Sequence, residues 1–338
     1  MTMKYYLGID QGGTKTAAAV CDENGNIIGT GVFDGLVTVY IHDTDEVYIK
    51  NIRSAAAAAL TSAKLSFEDI TAVCGCLNGA DWDFEYPVLQ KNLARAVSCE
   101  NALIINDCIG AMRGGSANKE CAIICAGTGL NAAVRCADGR KLIYGYFIHR
   151  ADSGGDALGN AALRKIMDAY IGLCPETHLT SNILSYTGHD TAKQLLIDIS
   201  MGKYDLKPKN IVGCLLNAYR RGDEQSKIII NEFSKSVARY ITAGMAKFDI
   251  LDSDLEVVFS GGIFKDDGVL IVRCITEYIK EQAPNIIAVN ARYEPACGAV
   301  LTLLDEHYGG SLPVQVKDSF EKSAVEMGLI RNIELKTV

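Results

Sequence analysis

The chain has 338 residues, of which 49% are hydrophobic and 22% charged, and its formal net charge is −8. This length favours about two domains, and the composition is typical of a soluble protein with a full core. The negative charge, without any basic run, argues against nucleic acid as a partner. No signal peptide is visible and no apolar run could span a membrane, so we expect a cytoplasmic protein whose 12 cysteines are mostly buried thiols.

The first third of the chain predicts a sheet that begins with a three-stranded meander. Apolar and β-branched runs joined by two turns predict its strands at residues 4–9, 17–21 and 27–33. Alternating helical and strand patterns then predict a helix at 45–65, a strand at 70–77, a helix at 85–97, a strand at 102–105 and a short helix at 109–113. The predicted order is βββαβαβα.

The same order begins again after residue 120. Predicted strands at 121–126, 132–136 and 142–147 are followed by a helix at 157–171 and a polar insertion near 173–209. The rest is predicted as a helix at 224–248, a strand at 255–259, a helix at 269–280, a strand at 286–289 and a helix at 296–308. From element order alone, we expect two similar domains at residues 1–117 and 118–310, around one cleft, with a tail at 311–338 that can pack back on the first domain.

The glycine-rich turn between the first two strands is a candidate ligand site. Gly12 and Gly13 allow backbone N–H groups to approach a ligand closely, while Thr14 and Lys15 add a hydroxyl and a cation. Asp10 stands where it could hold a hydrated metal. The turn is not a P-loop, because Thr14 stands where that motif requires Lys and a strand follows where it requires a helix. For this stretch alone, an ordinary hairpin turn is the alternative.

Three later segments place related residue types at strand ends. They are Asn106-Asp107, Ala126-Gly127-Thr128-Gly129 with Asn131, and Phe259-Ser260-Gly261-Gly262. Ligands in α/β folds commonly bind where such turns converge. In this order and spacing, the segments resemble the superfamily of sugar kinases, heat-shock protein 70 and actin. Within it they look most like the N-acetylglucosamine kinases and the BadF/BadG/BcrA/BcrD-type ATPase family, from about residue 4 to residue 308.

The resemblance implies a fold and a role for each segment. The fold is α/β, with two ribonuclease H-like (actin-like ATPase) domains around a nucleotide cleft. The implied cofactors are ATP and Mg²⁺, with Asp107 as the catalytic base and Asp10 holding the metal through water. The implied ATP- and phosphate-binding residues are Gly12, Gly13, Thr14, Lys15, Gly127, Thr128, Gly129, Gly261 and Gly262. The implied substrate-binding residues are Gly79, Asp81, Asn131 and Asp152.

These residue types suit phosphoryl transfer to a small molecule. The reaction needs positioning and charge neutralisation, which backbone N–H groups and Mg²⁺ supply. A carboxylate within reach of the attacking hydroxyl adds about 10²- to 10⁴-fold by taking its proton. From position alone, Asp107 could instead be the N-cap of the helix that follows it, and Asp10 could be a turn residue.

The segments implied to contact a sugar depart from the family pattern. Residues 35–40 carry no Asn where the family has Gly-x-x-Asn after the third strand. Residues 151–155 read Ala-Asp-Ser-Gly-Gly where the family has Gly-Asp-Glu-Gly-Ser, and residues 145–147 read Gly-Tyr-Phe where it has Gly-Trp-Gly. We therefore expect a carbohydrate kinase for N-acetylglucosamine or a related amino sugar, with the acceptor left open.

Other functions fit parts of the sequence. The residues Gly127-x-Gly129-x-x-Ala132 match the spacing of a dinucleotide-binding fingerprint. That motif requires a helix to begin at its glycines, whereas a strand is predicted here. The family also includes ATPases coupled to electron transfer through a cysteine-bound iron–sulfur cluster, and Cys125 precedes the second glycine turn, although its strand should be buried. A nucleotide-binding regulator without sugar kinase activity would fit the altered sugar loops. The long apolar helices allow a homodimer.

Overall fold

The computed structural model describes residues 3–13, 15–35 and 46–331. The strands are Tyr5–Gln11 (β1), Lys15–Asp22 (β2), Ile27–Asp34 (β3), Ile70–Leu77 (β4), Ala102–Asn106 (β5), Cys121–Ala126 (β6), Leu130–Arg135 (β7), Lys141–Ile143 (β8), Glu256–Ser260 (β9) and Ile287–Asn290 (β10). The α-helices are Glu46–Ala63 (α1), Glu85–Val97 (α2), Asp107–Gly115 (α3), Gly154–Tyr170 (α4), His178–Thr187 (α5), Ala192–Ser200 (α6), Val212–Arg220 (α7), Glu224–Lys247 (α8), Val269–Lys280 (α9), Pro295–His307 (α10) and Val314–Glu326 (α11). Within the described ranges, no helix has both the length and the apolar character needed to cross a membrane.

The chain divides into two compact units that share one sheet topology. The described part of the first unit is residues 3–13, 15–35, 46–118 and 290–331, and that of the second is residues 119–289. The first sheet has the order β3-β2-β1-β4-β5, and the second has the order β8-β7-β6-β9-β10. In each, two antiparallel pairs form the meander, and the next strand pairs in parallel with the first. The predicted α/β fold with a repeated strand order is confirmed.

The first sheet is covered on both faces because its strands are apolar on both sides. Leu7 and Ile9 of β1 are fully buried in a cluster with α1 and α2, while Tyr6 is buried in a second cluster with α10 and α11. A Cβ added at Gly8 would lie 2.5 Å from the carbonyl oxygen of Ala296, so α10 crosses β1 at backbone distance. The covered sheet leaves the ends of its strands as the place where polar residues can gather.

The second unit has one large core and more helices. Apolar residues of β6, β7 and β9 pack with α4, α5, α7, α8 and α9 in a single cluster. The region predicted as an insertion near 173–209 contains α5 and α6 and leads into a 3₁₀ turn at Pro208–Ile211. The strand predicted at 142–147 is shorter: β8 is followed by a 3₁₀ turn at Gly145–Phe147, whose first N–H is held by the Asn131 side chain at 2.9 Å.

The predicted boundaries of the second domain, 118–310, need one correction. Residues 290–310 lie in the first unit, because the apolar helix α10 packs against β1, β4 and α3. From the predicted tail, 311–338, α11 packs against β3 in the same unit, and the Ile27 N–H donates to Ser323 Oγ at 2.9 Å. Residues 332–338 of that tail lie outside the described residues.

Candidate functional site

The three neighbouring parallel strands of the first sheet, β1, β4 and β5, end at the same edge. The register pairs Gln11 of β1 with Leu77 of β4, and Leu77 with Asn106 of β5. The N–H of Asn78 donates to the carbonyl of Gln11 at 2.9 Å and continues the pairing by one residue. The residues that follow these strands therefore lie together, and they include most of the residues that the sequence singled out in this unit.

The turn after β1 exposes its backbone. The Gly12 N–H donates to the carbonyl of Lys15 at 3.1 Å, which closes the hairpin, and both Gly13 and Lys15 are exposed. A Cβ added at Gly12 or Gly13 would have no described heavy atom nearer than 3.9 Å. An anion can therefore approach this backbone closely. Thr14, predicted as a further donor, lies outside the described residues.

Asp107 begins α3, and its neighbour Asn106 is the N-cap. The Cys108 N–H donates to Asn106 Oδ1 at 3.0 Å and to Asp107 Oδ1 at 2.8 Å. Asn106 Nδ2 donates to Asp81 Oδ1 at 2.9 Å and to the Ala80 carbonyl at 3.2 Å. The alternative in which Asp107 is the N-cap is therefore wrong, since Asn106 has that position. The same contacts join the segment of Gly79 and Asp81 to the start of α3.

The carboxylates of Asp10 and Asp107 at this edge interact electrostatically. Burial and, to a lesser extent, the negative charge of Asp107 together raise the pKa of Asp10 to about 7, although the positive charges of Arg331 and Lys15 oppose the shift. Burial and the nearby Glu85 also raise the pKa of Asp81. Both carboxyl groups are therefore disfavoured in their charged forms, chiefly because burial removes them from water and secondarily because another carboxylate lies nearby.

The donor set at this edge fits a divalent cation that also binds phosphate. Mg²⁺ prefers oxygen ligands and is commonly held by one or two carboxylates together with water and substrate phosphates. Asp10 and Asp107 supply such carboxylates, and a cation beside them would relieve the repulsion that raises the pKa of Asp10. Across residues 3–13, 15–35 and 46–331, no group of three or more His, Cys, Asp or Glu residues is placed to hold a metal.

The turn after β6, residues 127–129, is the counterpart in the second unit and is held by backbone bonds. Gly127 N–H donates to the Gly129 carbonyl at 2.9 Å. The first turn of α4 adds two bonds, because Gly155 N–H donates to the Gly127 carbonyl at 2.9 Å and Asp156 N–H donates to the Thr128 carbonyl at 3.0 Å. The turn is exposed, yet all three of its carbonyls accept hydrogen bonds from within the unit.

Glycines allow the neighbouring backbone to reach this turn. Gly154 has φ +56°, and a Cβ there would lie 2.1 Å from the Gly129 carbonyl oxygen. Gly261, after β9, has φ +112°, and a Cβ there would lie 2.2 Å from the Ala126 carbonyl oxygen. Gly262 beside it has open space. The second turn is thus braced from two sides at distances that no side chain permits.

Asn131 and Asp152 are linked through a pair of tyrosines. Asn131 Oδ1 accepts from the N–H groups of Ala132 at 2.8 Å and Gly145 at 2.9 Å. Next to Gly145, the Tyr144 hydroxyl donates to the Tyr240 carbonyl, and the Tyr240 hydroxyl donates to Asp152 Oδ2 at 3.0 Å. Asp152 is buried and Asn131 is partly buried. Both predicted substrate residues therefore also have structural roles in the second unit.

A model of the BadF/BadG/BcrA/BcrD ATPase family matches residues 7–302. The chain belongs to this family. Membership confirms the predicted family of ATPases. Two relatives are each 22% identical over 90% of this chain and 99% of their own: an N-acetylmuramic acid/N-acetylglucosamine kinase of Clostridium acetobutylicum and an N-acetyl-D-glucosamine kinase of Dictyostelium discoideum.

Solved structures show the same fold for this family member. A candidate N-acetylglucosamine kinase from Chromobacterium violaceum is 18% identical, with a TM-score of 0.65 over 89% of this chain and 99% of its own. A ROK family glucokinase from Streptomyces griseus, solved with glucose and AMPPNP, is also 18% identical, with a TM-score of 0.57 over 89% and 98%. The predicted α/β fold is confirmed by these likenesses.

The dinucleotide interpretation of residues 127–132 is wrong. That fingerprint requires a helix to begin at its glycines. In this member of the BadF/BadG/BcrA/BcrD family the glycines are followed by strand β7, which pairs in antiparallel with β6.

Two side chains near the second turn make contacts that the sequence does not indicate. Lys209 Nζ donates to Thr128 Oγ1 at 2.9 Å, and Tyr240 donates to Asp152. Lys209 ends the stretch that reads as a polar insertion, and Tyr240 lies within a long amphipathic helix. Neither position carries a local signal, because both contacts depend on elements that are 81 and 88 residues apart in the chain.

Proposed function

We propose that the protein is an ATP-dependent kinase that phosphorylates N-acetylglucosamine or a related amino sugar. The observation that carries the proposal is the strand edge of the first unit, where a glycine turn lies beside Asp10 and Asp107 and their charges interact. The names of the two relatives and the family membership support the same reaction.

In this proposal, glycine turns of both units hold Mg-ATP. Gly12, Gly13, Thr14 and Lys15 bind the β- and γ-phosphates, and Gly127, Thr128 and Gly129 form the second phosphate turn. Gly261 and Gly262 lie against the adenosine. Asp10 holds Mg²⁺ through water. When bound, Mg²⁺ supplies neutralisation of the charge on the phosphates.

Asp107 acts as the general base in the proposed transfer. The sugar hydroxyl oxygen attacks the γ-phosphorus, the bond from that phosphorus to the bridging oxygen of ADP breaks, and the hydroxyl proton passes to the Asp107 carboxylate. The N-cap bond of Asn106 fixes the start of α3, so Asp107 has a defined backbone position. Gly79, Asp81, Asn131 and Asp152 are the proposed sugar-binding residues.

The segments proposed to contact the acceptor differ from the family pattern. The family's sugar-loop asparagine is missing from residues 35–40, and residues 36–40 lie outside the described residues. A small-molecule substrate follows from the relatives, whereas the particular amino sugar is a matter for measurement. The cytoplasmic location, the homodimer and the absence of a nucleic-acid partner stay predictions from the sequence.

The test is ADP release by the purified protein with Mg-ATP, measured against a panel of sugars and amino sugars with a control lacking any acceptor. The proposal expects stimulation by N-acetylglucosamine or another amino sugar. Slow hydrolysis that is indifferent to every sugar would contradict it. Iron content would then separate an ATPase coupled to electron transfer from a nucleotide-binding regulator, two alternatives that the kinase names of the relatives do not favour.

A further inference from the structure

A lysine from a distant part of the second unit lies on the exposed turn after β6. Lys209 Nζ donates to the hydroxyl of Thr128 at 2.9 Å, across 81 residues of sequence. Both residues are exposed. Residues 127–129 contain no charged side chain, so the positive charge at this turn comes from Lys209.

The lysine is placed by a close approach of backbone to helix α4. A Cβ added at Gly159 would lie 1.9 Å from the Pro208 carbonyl oxygen, and one added at Gly155 would lie 3.1 Å from Lys209 Cβ. Gly155 and Gly159 are four residues apart, so they share one face of the helix. The 3₁₀ turn Pro208–Ile211 packs directly against this face, which fixes the position of the Lys209 Cβ atom.

The exposed side of the turn suits an anion. The carbonyls of Gly127, Thr128 and Gly129 each accept a backbone hydrogen bond from within the unit, so each is directed toward a donor of the protein. A lysine ammonium has three N–H donors, of which the Thr128 hydroxyl uses one. Among the described residues Lys209 has no carboxylate partner, whereas nearby Lys207 pairs with Asp205 at 2.8 Å.

We propose that Lys209 binds the phosphate chain of the nucleotide at the turn formed by residues 127–129. The inference rests on the proposed function, which places ATP phosphates at this turn. An ammonium group is a compact charge that binds phosphate without a fixed geometry. The hydroxyl of Thr128 holds the ammonium over the turn, and the glycine face of α4 holds the chain that carries it.

The decisive experiment compares ADP and adenosine binding by calorimetry in Lys209→Met and wild type. Loss of one charge-assisted contact should weaken ADP binding by about 10- to 100-fold. Adenosine, which has no phosphate, should bind equally to both proteins. Lys207→Met is the matched control, since that lysine lies two residues away with its own carboxylate partner, and its ADP affinity should be unchanged.

A second variant tests how Lys209 is positioned. Gly159→Ala should push the segment at Pro208 away from α4 and weaken ADP binding in the same direction, with adenosine binding retained. In the double variant Gly159→Ala/Lys209→Met, the losses should not add, because both act through one contact. Circular dichroism establishes that each variant is folded. Additive losses would overturn the positioning role.

The outcomes separate this inference from the proposed function. If the wild type binds ADP and phosphorylates an amino sugar while Lys209→Met binds ADP equally well, the inference alone is overturned. Equal losses of ADP and adenosine affinity would also overturn it, because a phosphate contact cannot act on adenosine. If the wild type binds neither ADP nor ATP, the proposed function fails and the inference fails with it.

Discussion

The two glycine turns occupy equivalent places in their sheets but are built differently. The turn after β1 closes on itself through one bond between Gly12 and Lys15 and borders two interacting carboxylates. The turn after β6 is braced by the backbone of α4 and by Gly261, and a lysine donates a hydrogen bond to its threonine. The repeated topology therefore supplies two similar backbone positions, and the surrounding residues give them different chemistry.

Because of this difference, we expect the two units to respond differently to substitutions. In the first unit, changes of charge should act on chemistry and on pH dependence while leaving the fold in place. In the second unit, changes of shape should act on stability and nucleotide affinity together, because the turn depends on contacts at backbone distance. Four substitutions test this contrast, and their expected effects decrease in the order given.

Asp107→Asn should have the largest effect. Loss of the proposed base should lower sugar phosphorylation by about 10²- to 10⁴-fold, with ADP affinity within about twofold of the wild type. Steady-state kinetics and calorimetry measure the two quantities. Asp318→Asn, at an exposed carboxylate on α11 of the same unit, is the control and should match the wild type in both. Equal losses of turnover and of ADP affinity would argue against Asp107 as the base.

Gly154→Ala should disturb the second turn through shape. The left-handed backbone and the contact with the Gly129 carbonyl should lower the free energy of unfolding by about 3 kcal/mol and weaken ADP binding. Gly172→Ala is the matched control, because Gly172 has φ +83° but open space around its Cβ, so that it should lose only about 1 kcal/mol. Urea unfolding of both variants checks this, and equal losses would show that the contact does not matter.

Asp10→Asn should remove a pH dependence of stability. Because the pKa of Asp10 is about 7 when folded and 3.8 is its ordinary value, the folded state retains the proton to higher pH. The free energy of unfolding of the wild type should therefore fall as pH rises from about 4 to 7, and then level off. The variant should lack this fall.

At pH 8 the Asp10→Asn protein should be more stable by about 2 kcal/mol, a value discounted for the water that reaches this partly buried carboxylate. At pH 4 the two proteins should be nearly equal. Urea unfolding in EDTA, without nucleotide, measures the difference at each pH. Parallel pH profiles for the variant and the wild type would mean that Asp10 does not carry the effect.

Gly12→Ala should have the smallest effect on the fold. The Cβ would make only an ordinary van der Waals contact, 3.9 Å from the Lys15 carbonyl oxygen, so the free energy of unfolding should change by less than about 0.5 kcal/mol. The same methyl group would stand where phosphate approaches the backbone, so ADP affinity should fall by about tenfold. Calorimetry and urea unfolding separate the two. A stability loss as large as that of Gly154→Ala would remove the contrast between the turns.

Element types and most boundaries could be predicted from the sequence because they depend on local patterns. The strand at 70–77 and the helix at 85–97 were placed at the residues where the structure has β4 and α2, since apolar periodicity is strong there. The last part of the predicted second domain was misassigned because α10 is apolar on most sides. Such a helix is predicted to be buried, but its pattern does not indicate which sheet it covers.

The candidate site could be predicted only where its residues follow a strand. Asp10, Asp107 and the glycine turn after β1 are predicted as one site because parallel strands bring their carboxyl ends to one edge. The structure places these residues at that edge, and their roles stay predictions. Lys209 was missed because its contact depends on Gly155 and Gly159 admitting a distant backbone, which no local pattern encodes. The roles of Asn131 and Asp152 in linking β7, α8 and the 3₁₀ turn at Arg150–Asp152 were also invisible, because they pass through Tyr144 and Tyr240.

Transfer of the labelled γ-phosphoryl group tests the central claim most directly. ATP with ¹⁸O in the terminal phosphoryl oxygens is incubated with the protein, Mg²⁺ and N-acetylglucosamine or another amino sugar. The masses of the products are then measured by mass spectrometry. The account predicts a sugar phosphate that carries the labelled oxygens, formed by the wild type and nearly lost in Asp107→Asn. Labelled inorganic phosphate alone, with every amino sugar unmodified, would contradict it.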